Sequence, residues 1–240
     1  FKQLFRNSIG QLGESHNVYV FSSEHLSSCI RKREEIENLK ALLHGLFDEI
    51  KIIVYLRRQD QLLTSRYNEI LKSGWYRKSV MPPMDHINRH IYEYSKLVNM
   101  WGEAFGHQNM IVRNFNRGSF VNNDLLDDFA SLIGFKMSDP GFEKLEKQSN
   151  ESLSGDAQRA LIYFNKLCKV LKLERNSGFA AAGRRILIEL FGKTGFTNKK
   201  TMSREEAQYF YNLFSESNRE LAGNSSASEE FFDLDFTMYE

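Results

Sequence analysis

Residues 51–74, KIIVYLRRQDQLLTSRYNEILKSG, carry the strongest structural signal in the chain. KIIVYL is almost wholly apolar, which is typical of a parallel β-strand covered on both faces. The helical pattern that follows, from about Gln59 to Lys72, ends at a Ser-Gly stop. Arg57 and Arg58 stand where the strand ends, so the sequence raises the question of which negative groups they meet.

The segments around this stretch predict a mixed α/β fold. NVYVFS, residues 17–22, reads as a strand, residues 33–50 have one apolar helical face, and NMIVRNF, residues 109–115, reads as a further strand. The strand at residues 17–22, the helix at residues 33–50 and the strand at residues 51–56 together predict a βαβ unit with a right-handed crossover. Helices are predicted near residues 91–105, 122–134, 155–173 and 203–222, the last with a Ser203–Glu206 capping box. We therefore expect one domain, with an α/β portion at 1–140 and a helical portion at 141–240.

The composition excludes several function classes. The chain has 240 residues and a net charge of +1, so no overall field steers it to nucleic acid or to an anionic membrane, although a local basic site is still allowed. Its two cysteines, Cys29 and Cys168, form neither a disulfide framework nor a zinc motif, and they predict free thiols in a reducing cytoplasm. No apolar run approaches the roughly 20 residues that a membrane span needs.

The arginine turn has the features of an anion site. Ligands of open α/β sheets bind beyond the carboxyl ends of the strands, where Arg57 lies, and helix N-termini attract anions. The Arg57 guanidinium would supply a bidentate fork, and the Ser65 hydroxyl, about two turns into the helix, one more donor. The alternative is structural: both arginines pair with Asp60 or with nearby glutamates at the surface.

VYLRRQDQLLTSRYN resembles the 3′-phosphate-binding segment of sulfotransferases that use 3′-phosphoadenosine 5′-phosphosulfate, in which a serine follows the arginine by eight residues. The segments VYVFSSEHL, YSKLVNMWGEAFG, MIVRNFNRGSF, DLLDDFASLIGF and NESLS are similar, in the same order, to the bacterial carbohydrate-directed branch, over about residues 17–155. The resemblance implies a parallel-sheet core of the P-loop type and no metal. It also implies that Arg57 and Ser65 bind the nucleotide, and that the acceptor is a hydroxyl of a carbohydrate or glycolipid.

Sulfonate transfer is an in-line displacement that needs a base for the acceptor hydroxyl. Relatives use a Glu or a His after the first strand, so the resemblance implies that Glu24 is the base, with His25 as a weaker candidate. The alternative is helix capping, in which Ser22 or Ser23 is the N-cap and the Glu24 carboxylate faces the helix dipole.

The irregular segment after residue 74 is a candidate cover for the acceptor. Trp75 and Tyr76 offer flat rings of the kind that pack on sugar faces, although such a pair more often packs on its own fold. His86 and His90 are weak candidates for acceptor contact. Arg113 and Arg117 flank the end of the last predicted strand and could reach a phosphate or an acidic sugar. Arginines at such positions are more commonly exposed surface residues of a loop.

One family feature is missing from the sequence. Sulfotransferases open with a strand and a loop rich in Gly, Lys, Thr and Ser that holds the 5′-phosphosulfate through backbone N–H groups. FGKTGF, residues 191–196, follows a helical run near the other end and reads as an ordinary loop. The resemblance therefore predicts such a segment upstream of Phe1.

A non-catalytic nucleotide- or carbohydrate-binding module is the alternative function. A kinase is disfavoured because no phosphate loop with a metal-binding Asp is visible in the sequence.

Overall fold

The computed structural model describes residues 2–11, 18–142, 152–223 and 230–239. Within these ranges the fold is α/β but mostly helical, with a two-stranded parallel sheet. The strands are β1 Ile52–Leu56 and β2 Met110–Asn114. The helices are α1 Lys2–Gln11, α2 His25–Ser28, α3 Arg33–Leu43, α4 Gln59–Lys72, α5 Tyr94–Phe105, α6 Leu125–Leu132, α7 Gly155–Val170, α8 Gly178–Phe191, α9 Arg204–Asn212 and α10 Ser215–Gly223.

The chain forms two compact units, each built from three separate stretches. Both strands belong to the first unit, and the chain passes into the second unit between Arg57 and Arg58. These bounds differ from the expected division near residue 140. The first unit comprises Phe1–Arg57, Asn88–Glu143 and Phe214–Phe232; the second comprises Arg58–Ile87, Lys144–Leu213 and Asp233–Glu240.

The first unit is organised around β1, β2 and α5. The two strands pair in parallel from Ile52 opposite Met110 to Leu56 opposite Asn114. The apolar face of α5 supplies much of the core, and Trp101 stacks on Phe105 with 5.8 Å between ring centres. Burial of such aromatic side chains is a major source of core stability. The prediction that residues 51–56 and 109–115 form parallel strands is confirmed.

The strand predicted at residues 17–22 is wrong for the described part, residues 18–22. These residues have no strand pairing, and Val18, Val20 and Phe21 are exposed. Alternating β-rich residues form a strand only where a neighbouring strand accepts and donates the ladder hydrogen bonds. Because this strand is missing, the predicted βαβ unit of residues 17–56 is wrong too, and the parallel pair of the first unit is β1 with β2.

The helix predicted at residues 33–50 ends at Leu43 in the structure. The apolar spacing continues to Leu46, Phe47 and Ile50, but Gly45 adopts φ +72°, a left-handed conformation that terminates helices. Phe47 instead packs against Tyr19, with 5.4 Å between ring centres. The apolar residues at three- and four-residue steps therefore continue beyond the end of the helix, and Phe47 is used for packing outside it.

The second unit packs α4 against α7 and α9. The predicted bounds of α4 are confirmed, and its buried face includes Leu63, Tyr67 and Leu71. Buried amides tie the helices together: the Asn165 side chain donates to the carbonyls of Leu71 and Trp75, at 2.9 and 3.2 Å. The Asn165 amide nitrogen is thus satisfied, whereas its Oδ1 is buried without a hydrogen-bond partner within the described residues, which is a desolvation cost.

The single helix predicted at residues 203–222 is two helices in the structure, because α9 ends at Asn212 and α10 begins at Ser215. Phe214 packs on Tyr92 in the first unit, whereas Tyr211 packs on Phe236 in the second, so tertiary packing overrides the continuous helical pattern. The capping box is confirmed, since Ser203 Oγ accepts from the Glu206 amide. GNSSASEE, residues 223–230, has a composition typical of a loose segment and lies mostly outside the described residues.

Candidate functional site

The carboxyl ends of β1 and β2 meet at one edge of the sheet in the first unit. Arg57 directly follows β1, and Phe115 directly follows β2, with its amide donating to the Leu56 carbonyl at 2.7 Å. Tyr94 Oη donates to the Arg57 carbonyl at 2.6 Å and fixes the backbone at this point. Register and hydrogen bonding therefore hold Arg57 at the sheet edge where α/β folds bind their ligands.

The Arg57 guanidinium is half-buried and has no acceptor within the described residues. Its central carbon lies 4.3 Å from the ring centre of Phe115, a cation–π contact. Among the described residues, no carboxylate, carbonyl or hydroxyl binds the guanidinium. Burial lowers the pKa of Arg57, because a desolvated cation without a counter-ion is disfavoured. Five N–H donors are therefore held in place without an anionic partner.

Arg58 has a different environment, within the second unit. Its Nε and Nη2 bind both carboxylate oxygens of Asp60, at 2.8 and 3.0 Å. Its Nη1 donates to the carbonyls of Asp233 and Asp235, each at 2.6 Å, and its guanidinium stacks on Phe236. The structural alternative, pairing with Asp60, is thus correct for Arg58, although the pair is buried. It is wrong for Arg57.

Ser65 belongs to the second unit and lies in the middle of α4. It is half-buried, and its hydroxyl has no hydrogen-bond partner among the described residues. Neighbouring Thr64, by contrast, donates to the Asp60 carbonyl at 3.1 Å. The Ser65 hydroxyl is thus available to a ligand, while its convergence with Arg57 on one phosphate stays a prediction.

Glu24 is exposed and forms the N-cap of the four-residue helix α2. Its carboxylate makes no capping hydrogen bond, whereas Ser23 Oγ accepts from the His25 amide at 3.2 Å. The predicted N-cap, Ser22 or Ser23, is therefore wrong, because Ser23 precedes the N-cap; within the described residues the Glu24 carboxylate has no partner. His25 Nδ1 lies 3.6 Å from Cys29 Sγ. Nothing brings Glu24 into contact with Arg57, and its role as a base stays a prediction.

The segment after residue 74 is irregular, as predicted, apart from two single turns at Met84–His86 and Arg89–Ile91. Trp75 is 53% exposed, and the guanidinium of Arg175 covers one face of its ring at 3.6 Å. His90 is half-buried, and its Nε2 lacks a hydrogen-bond partner. Acceptor contact by these residues stays a prediction.

The sequence did not reveal a charge cluster built on the two strands. Tyr55 and Arg113 are register partners, and both donate to the fully buried Asp128, Tyr55 at 2.7 Å. Burial alone would raise the pKa of Asp128, but hydrogen bonds from Arg113, Tyr55 and the Val121 amide hold it below the usual range. Arg113 is therefore a structural arginine. The cross-strand pairing was the signal that could have found it.

The remaining sequence predictions concern the segment FGKTGF, Arg117, a metal site and a membrane span. FGKTGF is a loop after α8, as predicted. Arg117 Nε donates to the Asn123 carbonyl at 3.1 Å. Within the described ranges there is no cluster of three or more His, Cys, Asp or Glu side chains arranged for a metal ion. In the same ranges, every helix is too short or too polar to span a membrane.

Comparison with known proteins gives little further guidance. No family model and no solved structure matches the chain. Over 171 residues the chain is 30% identical to an uncharacterized protein of Archaeoglobus fulgidus. The match covers 71% of this chain and 44% of that protein, so the chain spans less than half of the relative's length.

Proposed function

We propose that the chain carries the nucleotide 3′-phosphate site of a sulfotransferase with a P-loop-type core. In this proposal the enzyme moves a sulfonate group from 3′-phosphoadenosine 5′-phosphosulfate to a hydroxyl of a carbohydrate or glycolipid acceptor. The observation that carries the proposal is the Arg57 guanidinium, which is half-buried at the carboxyl edge of a parallel sheet and has no anion among the described residues. Free cysteines, Cys29 and Cys168, are compatible with a cytoplasmic location.

A phosphate is the ligand that suits this arginine. A desolvated guanidinium gains most from a charged acceptor that takes two parallel N–H bonds, and phosphate oxygens match that fork. The Phe115 ring centre lies 4.3 Å from the central carbon of the guanidinium, and this cation–π contact does not use the N–H donors that a phosphate would take. The Ser65 hydroxyl is proposed as a further donor to the phosphate only on the basis of the sequence resemblance, in which a serine follows the arginine by eight residues.

In the proposed reaction the chain's own residues bind and orient. Arg57 and Ser65 would fix the donor through its 3′-phosphate. Glu24 would take the proton from the acceptor hydroxyl, and the exposed face of Trp75 would pack on a sugar ring. No metal is required in this scheme, because cationic side chains stabilise the leaving phosphate.

Calorimetry with adenosine 3′,5′-bisphosphate tests the site. Arg57→Met should weaken binding by about 2 kcal/mol or more, roughly thirtyfold in Kd, because a charge-assisted fork is lost. Adenosine 5′-monophosphate, which lacks the 3′-phosphate, should bind both proteins alike. Arg33→Met is the matched control, because Arg33 pairs with Glu103 at the surface. Equal affinity of Arg57→Met and the parent for the bisphosphate would reject the site.

A second candidate is a non-catalytic binding module that keeps the nucleotide site. It is favoured by the exposed Glu24 carboxylate, which no partner within the described residues holds in position as a base. The two candidates differ in turnover. If Glu24 is the base, Glu24→Gln in the complete gene product should lower turnover about a hundredfold or more and leave nucleotide affinity unchanged. Glu34→Gln, on α3 of the same unit, is the control. No sulfonate transfer by the parent to any of a panel of saccharides and glycolipids would favour the binding module.

A further inference from the structure

Helices α7 and α8 of the second unit present a large apolar surface that no described residue covers. On α7 the exposed side chains follow three- and four-residue steps, and on α8 they follow seven- and four-residue steps, so each set lies on one helix face. We call these seven side chains the apolar patch: Tyr163 (73% exposed), Leu167 (53%) and Val170 (69%) on α7, Leu171 (58%) at its C-cap, and Phe179 (70%), Ile186 (51%) and Leu190 (63%) on α8.

The two faces form one continuous surface. α7 and α8 pack closely where the Phe164 ring meets Gly183, since a Cβ at Gly183 would lie 2.5 Å from that ring. On each helix the apolar face borders this contact on the side away from the buried residues, such as Leu161 on α7 and Ala180 on α8. The patch exposes on the order of 800 Å², above the roughly 300–600 Å² of the largest patch on a typical monomer.

The border of the patch is basic. Arg159 and Lys166 each precede a patch residue of α7, Tyr163 and Val170, by four positions, which makes them neighbours on the helix surface. Further exposed cations follow along the same pair of helices and the loops after them, at Lys169, Lys172 and Lys193. None of these five cations forms an ion pair within the described residues.

The acidic residues along these helices do not balance the cations. Glu189 pairs with Arg185. Asp156 accepts hydrogen bonds from the Thr197 hydroxyl and the Phe196 amide, at 2.6 and 2.9 Å, and these bonds together with the charge of nearby Arg159 lower its pKa, so Asp156 offsets part of one of the five cations. Glu174 is the remaining acidic side chain between residues 155 and 193. The apolar patch therefore lies within a surface of excess positive charge.

This charge selects the partner. A second copy of the chain, docked through the same patch, would bring two basic borders together, and like charges across an interface disfavour association. A bilayer with anionic lipids instead accepts apolar side chains at its interface and attracts the surrounding lysines and arginines. The long stems of lysine and arginine also let their charged ends reach the headgroups. We propose that α7 and α8 dock the protein on an anionic lipid surface, independently of the nucleotide site.

Vesicle co-sedimentation tests this proposal. The parent chain should bind vesicles of phosphatidylcholine with phosphatidylserine, bind pure phosphatidylcholine vesicles poorly, and lose binding as salt rises. Phe179→Ser with Leu190→Ser should lower the partition coefficient about tenfold or more. Lys166→Gln with Lys169→Gln should lower binding and flatten its salt dependence. All four side chains are exposed, so the fold should tolerate the changes, and unchanged circular dichroism checks this.

Leu4→Ser on α1 is the matched control, because Leu4 is equally exposed, at 71%, but lies in the first unit. It should bind vesicles like the parent. Equal binding to neutral and anionic vesicles, or unchanged binding by either double variant, would overturn the proposal. A dimer in sedimentation-velocity experiments that Phe179→Ser with Leu190→Ser abolishes would also overturn it, because the patch would then be a contact between two copies.

Discussion

Arg57 and Arg58 are consecutive residues with opposite surroundings. Arg58 is almost fully buried, and its guanidinium binds the Asp60 carboxylate, two backbone carbonyls and the Phe236 ring. Arg57 is half-buried, and within the described residues its guanidinium has a cation–π contact with the Phe115 ring but no hydrogen-bond acceptor and no ion pair. Because buried cations are normally paired, complete pairing indicates a structural role, whereas a guanidinium held without an anion indicates a ligand site.

Arg113 extends this comparison within the first unit. It lies one residue before the end of β2, and Arg57 lies one residue after the end of β1. Arg113 is neutralised by Asp128, and this pairing raises its pKa, whereas burial lowers the pKa of Arg57. Near one sheet edge, the Arg113 guanidinium is thus paired with a carboxylate and the Arg57 guanidinium is not. An added anion would therefore stabilise Arg57 more than Arg113.

The largest expected effect on stability is that of Arg58→Met. Within the described residues, it leaves the fully buried Asp60 carboxylate with the Tyr239 hydroxyl, at 2.7 Å, as its one side-chain partner. Removal of one partner from a buried ion pair costs about 3–5 kcal/mol. Urea unfolding followed by circular dichroism measures this loss. A loss of unfolding free energy below about 1 kcal/mol would contradict the structural role assigned to Arg58.

Asp128→Asn should have a smaller effect, about 2–3 kcal/mol, because Arg113 and Tyr55 lose a charged acceptor but keep a polar one. Since the pKa of Asp128 is lowered in the folded protein, its contribution is complete above the unfolded-state carboxyl pKa of about 4 and is lost as pH falls through the folded value. The stability difference between parent and variant should therefore shrink below about pH 4. A difference independent of pH would show that the Asp128 charge does not stabilise the fold.

Local signals predicted the elements that depend on local chemistry. α4 has the expected bounds because a polar start and the Ser73–Gly74 stop lie within its own sequence, and Gly74 indeed has φ +86°. β1 and β2 were visible as apolar runs. The strand at residues 17–22 was not correctly predicted, because a strand depends on a neighbour that its own sequence does not specify.

The environment of the candidate site could be predicted only in part. The position of Arg57 at a strand end followed from the apolar run before it. Asp60, two residues from Arg58, was a visible candidate partner, but two further partners lie 175 and 177 residues along the chain, at Asp233 and Asp235, and no local pattern links them. Which of two adjacent arginines is paired depends on such distant contacts, so the sequence alone left both possibilities open.

The smallest expected effect on stability is also the most informative one, the unfolding free energy of Arg57→Met with and without adenosine 3′,5′-bisphosphate. Without the nucleotide, the variant should match the parent within about 1 kcal/mol, because only the contact with Phe115 is lost. At a nucleotide concentration of about 100 times the parent's Kd, the parent should gain about 2.7 kcal/mol and the variant about 1 kcal/mol or less. An equal gain in both proteins, or a loss without nucleotide as large as that of Arg58→Met, would contradict the assignment of Arg57 to a phosphate.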